Sequence, residues 1–151
     1  MKNKMKYEEL KNKYNLPDLK EIDFEFEIDK ESKFILREIR RKINSKINAY
    51  LDILEGIIQP ETSSISQMYE LNFLSENDKQ NALNFYKKLM KISRNSDKIA
   101  ITLSEEEEAK FINEIYKIWY NIKQEMILII EKLKKSWEHD IKEETDMRYM
   151  G

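Results

Sequence analysis

The sequence predicts an all-α fold: an antiparallel bundle of three long helices, with a short N-terminal helix and an extended segment packed across it. The 151 residues contain only two glycines and two prolines, too few for the tight turns that a β-rich or α/β domain needs. Along three long segments, apolar residues recur three and four positions apart, which places them on one side of a helix. Charged residues make up 37% of the chain and hydrophobic residues 40%, a balance typical of helices with ionised outer faces around one core.

A short helix is predicted near the N-terminus, over residues 4–14. Tyr7, Leu10 and Tyr14 lie three and four positions apart and share one side of it. Pro17 ends this helix, because its ring disfavours helical geometry at the residue before it.

The next segment, residues 22–28, alternates strictly between apolar and acidic residues. A period of two is the pattern of a strand, and no other segment of the chain shows it so clearly. Phe24 and Phe26 would then share one apolar edge of an extended segment.

The first long helix is predicted over residues 29–58, where Gly56 and Pro60 mark its end. A polar loop follows, and residues 65–74 are compatible with a helical turn. The apolar stripe of the long helix consists of Leu36, Ile39, Ile43, Ile47, Tyr50, Leu54 and Ile57.

The second long helix is predicted to begin after Ser75, an N-cap residue with Asp78 three positions on. Residues 93–97 contain poor helix formers, so the sequence leaves open whether the helix continues through them. Its buried face is predicted to comprise Ala82, Phe85, Tyr86, Leu89, Ile92 and Ser93.

The third long helix is predicted from Ser104, which forms a capping box with Glu107, to about Ile141. Its stripe follows a seven-residue period, which favours near-parallel packing of the three helices, up, down and up. We expect one helical domain over residues 1–142 and a loose polar tail over residues 143–151. The stripe consists of Ile112, Ile115, Trp119, Ile122, Met126, Ile129, Leu133 and Trp137.

Composition excludes several classes of function. The chain has no cysteine, which rules out disulfides, thiolate nucleophiles and cysteine-ligated zinc. A net charge of -2 gives the whole molecule no strong attraction to nucleic acid or to an anionic membrane. The polar, Lys-rich start lacks a signal-peptide core, and no apolar run is long enough to span a membrane, so we expect a cytoplasmic protein without a membrane partner.

A basic ridge on the first long helix is the first candidate site. Lys33, Arg37, Arg40 and Arg41 lie in a stretch where Glu38 is the only acidic residue, and such a ridge could follow a phosphate backbone. The favoured interpretation is a solvated helix flank paired with acidic neighbours, since charge runs on helices are common.

Catalytic and metal chemistry are not indicated. His139 is the single histidine, and although Glu143 lies one turn away, a di-iron bundle needs two Glu-x-x-His units. No glycine-rich phosphate loop and no Ser/His/Asp pattern is present. We therefore expect no catalytic residues, no bound metal, no cofactor and no enzymatic activity.

Surplus apolar surface is the second candidate site. Residues 126–130 are all apolar, so they point around the whole helix, and Leu128 lies nearly opposite the main stripe. The favoured interpretation is that the segment with Phe24 and Phe26 covers part of this surplus within the molecule. The alternative is a binding surface, which either adds a strand to a partner's sheet or pairs the third helices of two copies.

One family comparison bears on the alternatives. The stretch of residues 36–47, followed by Leu74-Ser75 and the helix that contains Phe85-Tyr86, resembles the helical domain of GINS replication-complex subunits. The long final helix has no counterpart there, so we assign no family, but the resemblance implies a replication-complex subunit as one of the alternative roles.

The leading hypothesis is a non-catalytic helical protein, a subunit, adaptor or small regulator that acts through contacts with another protein or with itself. The alternative is a nucleic-acid-associated protein that uses the basic ridge.

Overall fold

The computed structural model describes residues 2–138, and all regular secondary structure in this range is helical. This confirms the predicted all-α fold. The six helices are α1 (Lys2–Tyr14), α2 (Leu19–Phe26), α3 (Ile35–Ile58), α4 (Ile65–Phe73), α5 (Glu76–Thr102) and α6 (Glu105–Ser136).

The three long helices α3, α5 and α6 pack against one another around one core. Arg40, near the start of α3, contacts Ser96 near the end of α5 and Glu108 near the start of α6. α3 and α6 therefore run in the same direction and α5 runs against both, which is the up-down-up order. The predicted stripes of α3 and α6 are buried along most of their length, with Ile39 and Ile122 fully inaccessible to solvent.

The predicted extended segment is wrong: residues 19–26 form helix α2. Ile22 and Phe26 are buried, whereas Phe24 is 85% exposed, because residues four apart share a helix face and the residue midway between them points away. The Phe26 ring packs on Trp119 with centroids 4.8 Å apart. Glu27 then takes a left-handed conformation with φ 54° and ends the helix.

Two helix limits also differ from prediction. α3 begins at Ile35 rather than at residue 29, since Asp29 closes a local turn by accepting from the backbone N–H of Ser32 and of Glu31. α4 is a nine-residue helix rather than a single turn, capped by the Ser64 hydroxyl, which accepts from the N–H of Gln67 at 3.3 Å.

α5 runs without a break through residues 93–97. The polar residues there are partners in the core rather than helix breakers. Buried Ser93 donates to the side chain of Asn48 at 3.3 Å, and fully buried Ser96 accepts from Arg40 at 2.9 Å. Satisfied in this way, the two hydroxyls do not compete with the helix for its backbone groups.

The helix caps follow the prediction at Ser75 and in part at Ser104. Ser75 and Asp78 form the full capping box, with hydrogen bonds of 3.0 and 3.2 Å. Ser104 accepts from the N–H of Glu107 at 3.2 Å, but the Glu107 carboxylate accepts from the hydroxyl of Thr102 at 2.6 Å.

The end of α6 departs from the predicted stripe. The helix ends at Ser136, and Trp137, placed in the core by its spacing, is 51% exposed. Its ring stacks on Tyr69 of α4 with centroids 4.4 Å apart, and its indole N–H donates to Glu70 at 2.9 Å. Ile141 and the predicted tail over residues 143–151 lie outside the described residues.

Candidate functional site

An open groove of about 560 Å³ runs between the N-terminal half of α5 and the C-terminal half of α6. Its floor is apolar and is formed by side chains that also belong to the core of the bundle. Those side chains are Ile57 of α3, Leu74, and Ala82 and Phe85 of α5.

The two walls of the groove have different chemistry. On α5, Asn77, Asn81 and Asn84 follow one another at spacings of four and three and so line one flank of the helix. On α6, Ile129 and Leu128 form the opposite wall. The groove therefore offers amide groups on one side and aliphatic surface on the other.

An ion pair spans each end of the groove. Lys132 lies 3.5 Å from Asp78 at one end, and Lys88 lies 3.5 Å from Glu125 at the other. Burial raises the pKa of Asp78, but hydrogen bonds from Ser75 and the charge of Lys132 outweigh it, so the pKa stays below its usual range. Asp78 therefore stays ionised at neutral pH and keeps its attraction to Lys132.

Leu128, predicted as a partner-binding residue, is 66% exposed on the rim of this groove. The N-terminal elements do not cover it. Phe26 is buried elsewhere in the core. α2 contacts α6 nearer the start of α6, where the indole N–H of Trp119 and the ammonium of Lys123 donate to Glu25 at 3.0 and 2.7 Å.

The other two predicted partner residues are separated by the helical geometry of α2. Phe26 is part of the core, and Phe24 faces away from the bundle. They cannot act together as the edge of a strand, so the proposed strand addition to a partner's sheet is not supported.

One of the four residues predicted for the basic ridge, Arg40, is buried and does not lie on the surface. Arg40 is only 4% exposed; its Nε donates to Glu108 at 2.7 Å and its Nη1 to the Ser96 hydroxyl. Position 40 lies on the apolar stripe of α3, because it follows Leu36 by four residues and precedes Ile43 by three. Arg40 therefore holds the bundle together and is not available on the ridge.

The residues that remain on the ridge are Lys33, Arg37 and Arg41. Lys33 and Arg41 are exposed and Arg37 is half-buried. The Arg37 guanidinium lies 4.2 Å from the centre of the Phe34 ring. Among residues 6–138, no ion pair joins any of these three cations to a carboxylate, in contrast to the paired flank that the sequence favoured.

In the buried Arg40–Glu108 pair, only one of the two carboxylate oxygens of Glu108 is bonded to Arg40. Burial raises the pKa of Glu108 above its usual range against the opposing influence of Arg40, Arg37 and Arg41. One carboxylate oxygen, Oε2, accepts from Arg40, while Oε1 is buried and has no hydrogen-bond partner among residues 6–138.

No group of three or more His, Asp or Glu side chains within the described range is placed to hold a metal ion. His139 and Glu143 lie beyond that range. The groove was not identifiable from the sequence, although the spacing of Asn77, Asn81 and Asn84 beside the stripe of α5 is a signal that the flank is not purely ionic.

No helix in residues 2–138 combines the length and the apolar character needed to cross a membrane. Compared with known proteins, the chain matches no family model, and neither a curated protein nor a solved structure is significantly similar to it.

Proposed function

We propose that this chain is a non-catalytic helical protein that acts through protein–protein contacts, and that the groove between α5 and α6 is its contact surface. The observation that carries the proposal is Leu128, a large aliphatic side chain exposed at the rim of a 560 Å³ groove with an apolar floor.

The groove has the composition of a protein-binding surface. Its centre is apolar and its ends carry charges, the arrangement of an interface with a desolvated core and a polar rim. Burying an exposed leucine contributes about 1.5–3 kcal/mol. One or two apolar side chains of a partner, buried together with Leu128, would therefore supply most of the binding free energy of such an interface.

Affinity capture with the full chain tests this proposal. Proteins retained by the wild type are compared by mass spectrometry with those retained by Leu128→Glu, which places a charge at the groove. Ile127→Glu is the matched control, because Ile127 is 49% exposed on the same helix but does not line the groove. Circular dichroism checks that all three proteins are folded.

We expect Ile127→Glu to retain the same proteins as the wild type and Leu128→Glu to lose them. If all three retain the same proteins, the groove is not the contact surface.

The basic ridge supports a second candidate function, nucleic-acid binding. Its specific support is that Lys33, Arg37 and Arg41 have no carboxylate partner in the described part of the chain, and that Phe34 adds an exposed ring beside Arg37. Phosphate contacts of this kind weaken steeply with salt.

Titration of single- and double-stranded DNA at two salt concentrations tests the ridge. Arg37→Glu combined with Arg41→Glu should abolish binding, whereas Lys91→Glu, at an exposed lysine of α5, should reduce it only slightly. Binding that is insensitive to salt or to the double substitution excludes the ridge.

A further inference from the structure

We propose that the partner which occupies the groove is a second copy of this chain, related by a two-fold axis that lies in the interface and runs perpendicular to the helices. Along α6, the axis lies at the height of the peptide between Leu128 and Ile129. It places α6 of one protomer antiparallel on α6 of the other, and α5 antiparallel on α5. This inference rests on the proposed function and names its partner.

The four charges at the ends of the groove form a self-complementary array. On α6, the midpoint between Glu125 and Lys132 falls between residues 128 and 129. On α5, the midpoint between Asp78 and Lys88 falls at residue 83. Because the ion pairs Asp78–Lys132 and Lys88–Glu125 join the two helices at both ends, these two midpoints lie at the same height along the groove.

A two-fold axis through that height reverses each helix and brings opposite charges together. Glu125 of one protomer faces Lys132 of the other, and Asp78 faces Lys88, with each relation present twice. A closed dimer requires such a patch that is complementary to itself. The four side chains carry no net charge, so two copies of the patch do not repel each other.

The uncharged residues of the groove obey the same symmetry. The midpoint between Asn81 and Asn84 lies half a residue from position 83, close to the level of the axis. The Asn81 amide of one protomer therefore meets the Asn84 amide of the other. Each amide has both a hydrogen-bond donor and an acceptor. Leu128 is then placed against Ile129 and Leu128 across the axis. A different protein as partner would require none of these relations.

The oligomeric state of the full chain is the first test. Sedimentation equilibrium or light scattering should give twice the chain mass for the wild type, and Leu128→Glu should weaken the dimer by about tenfold or more. Ile127→Glu should remain as dimeric as the wild type. A wild-type chain that is monomeric at all concentrations overturns the proposal.

Charge reversal tests the proposed register. Alone, Glu125→Lys sets the substituted lysine of one protomer against Lys132 of the other, and Lys132→Glu sets the substituted glutamate against Glu125. Like charges then face each other twice, so each variant should dissociate at least as readily as Leu128→Glu. Mixed in equal amounts, the two variants should form a heterodimer, because like charges face each other only in the two homodimers: lysine faces lysine in the dimer of Glu125→Lys, and glutamate faces glutamate in the dimer of Lys132→Glu.

 In that heterodimer the lysine introduced at position 125 faces the glutamate introduced at position 132, and the unchanged Lys132 faces the unchanged Glu125. Every facing pair of α6 is therefore of opposite sign.

Circular dichroism of each variant verifies that its helices are retained. If the mixed variants stay monomeric although both are folded, or if each alone dimerises like the wild type, the register is wrong. Should either variant fail to fold, the wild-type mass and the Leu128→Glu comparison still decide the proposal.

The outcomes also separate this inference from the function on which it rests. A monomeric wild type that still retains other proteins in a Leu128-dependent manner contradicts the dimer and leaves the contact function in place. A monomeric wild type whose retained proteins are unaffected by Leu128→Glu contradicts both.

Discussion

Replacing Glu108 by alanine is expected to destabilise the bundle by about 3–5 kcal/mol, because it leaves a buried guanidinium without its counter-charge. Arg40 and Glu108 have side chains only 5% and 2% exposed, and their 2.7 Å contact joins α3 to α6. After the substitution, the hydroxyl and carbonyl oxygens of Ser96 are the groups left near Arg40, at 2.9 and 3.4 Å. They bring no negative charge, so the cost of burying the cation remains.

The expected loss is large enough to measure in a thermal or urea unfolding experiment followed by circular dichroism. For a domain of this size each kcal/mol lowers the Tm by about 2–4 °C, so the variant should unfold about 6–20 °C below the wild type. Glu131→Ala is the control: Glu131 is an exposed glutamate of the same helix, and its loss should stay within about 0.5 kcal/mol.

A double replacement shows whether the pair acts through charge or through packing. Arg40→Met combined with Glu108→Leu removes both charges and keeps apolar volume, so the protein should be near wild-type stability or above it by up to about 1–4 kcal/mol. The reasoning is refuted if Glu108→Ala is as mild as Glu131→Ala, or if the double variant loses as much stability as the two single replacements added together.

Three further predictions test the local structure. Phe26→Ala should cost about 3–5 kcal/mol in urea unfolding, whereas Phe24→Ala should change stability by less than about 0.5 kcal/mol; similar losses at both positions would contradict the helix. Ser75→Ala should cost about 1 kcal/mol by removing the cap of α5, and an unchanged Tm would show that this cap is dispensable. Burial raises the pKa of Glu25, but its bonds to Lys123 and Trp119 prevail and hold the pKa below 4.5, so its stabilising contribution should be present above pH 4.5 and lost as the pH falls through the lowered value. Glu25→Gln should therefore flatten the acid side of the stability profile, and superimposable profiles would contradict this assignment.

Several elements of the fold could be predicted from the sequence because their causes are local. The stripe with Ile39, Ile43 and Ile47 specifies a helix by spacing alone, since only a period near 3.6 brings all of them to one side. The Ser75–Asp78 capping box is likewise a contact between residues three apart, and it forms as expected.

Helix α2 shows where local information was ambiguous. Ile22 and Phe26 share a face in a strand and also in a helix, because a spacing of four satisfies both periods. The environment of Glu25 selects the helix: Trp119 and Lys123 hold its carboxylate on the side next to Phe26, whereas a strand would point residues 25 and 26 to opposite faces. No property of residues 22–28 alone reveals those two partners.

Arg40 and Ser96 show the same limit for charged and polar residues. Each belongs to a stretch whose composition indicates solvent exposure or a helix break, yet both are buried, because Arg40 finds Glu108 and Ser96 at hydrogen-bonding distance. A buried polar group is tolerated only when such partners are present, and these partners lie 68 and 56 residues away along the chain.

The groove is also a product of tertiary structure. That Leu128 lies off the buried stripe of α6 follows from the sequence alone, because a run of five apolar residues must point around the whole helix. The packing of α5 beside α6 placed Leu128 on a groove whose floor includes Phe85, with an ion pair at each end and a row of asparagines on the opposite wall. Periodicity defines the face of one helix, whereas the position of a neighbouring helix depends on how side chains from distant parts of the chain fill the space between them.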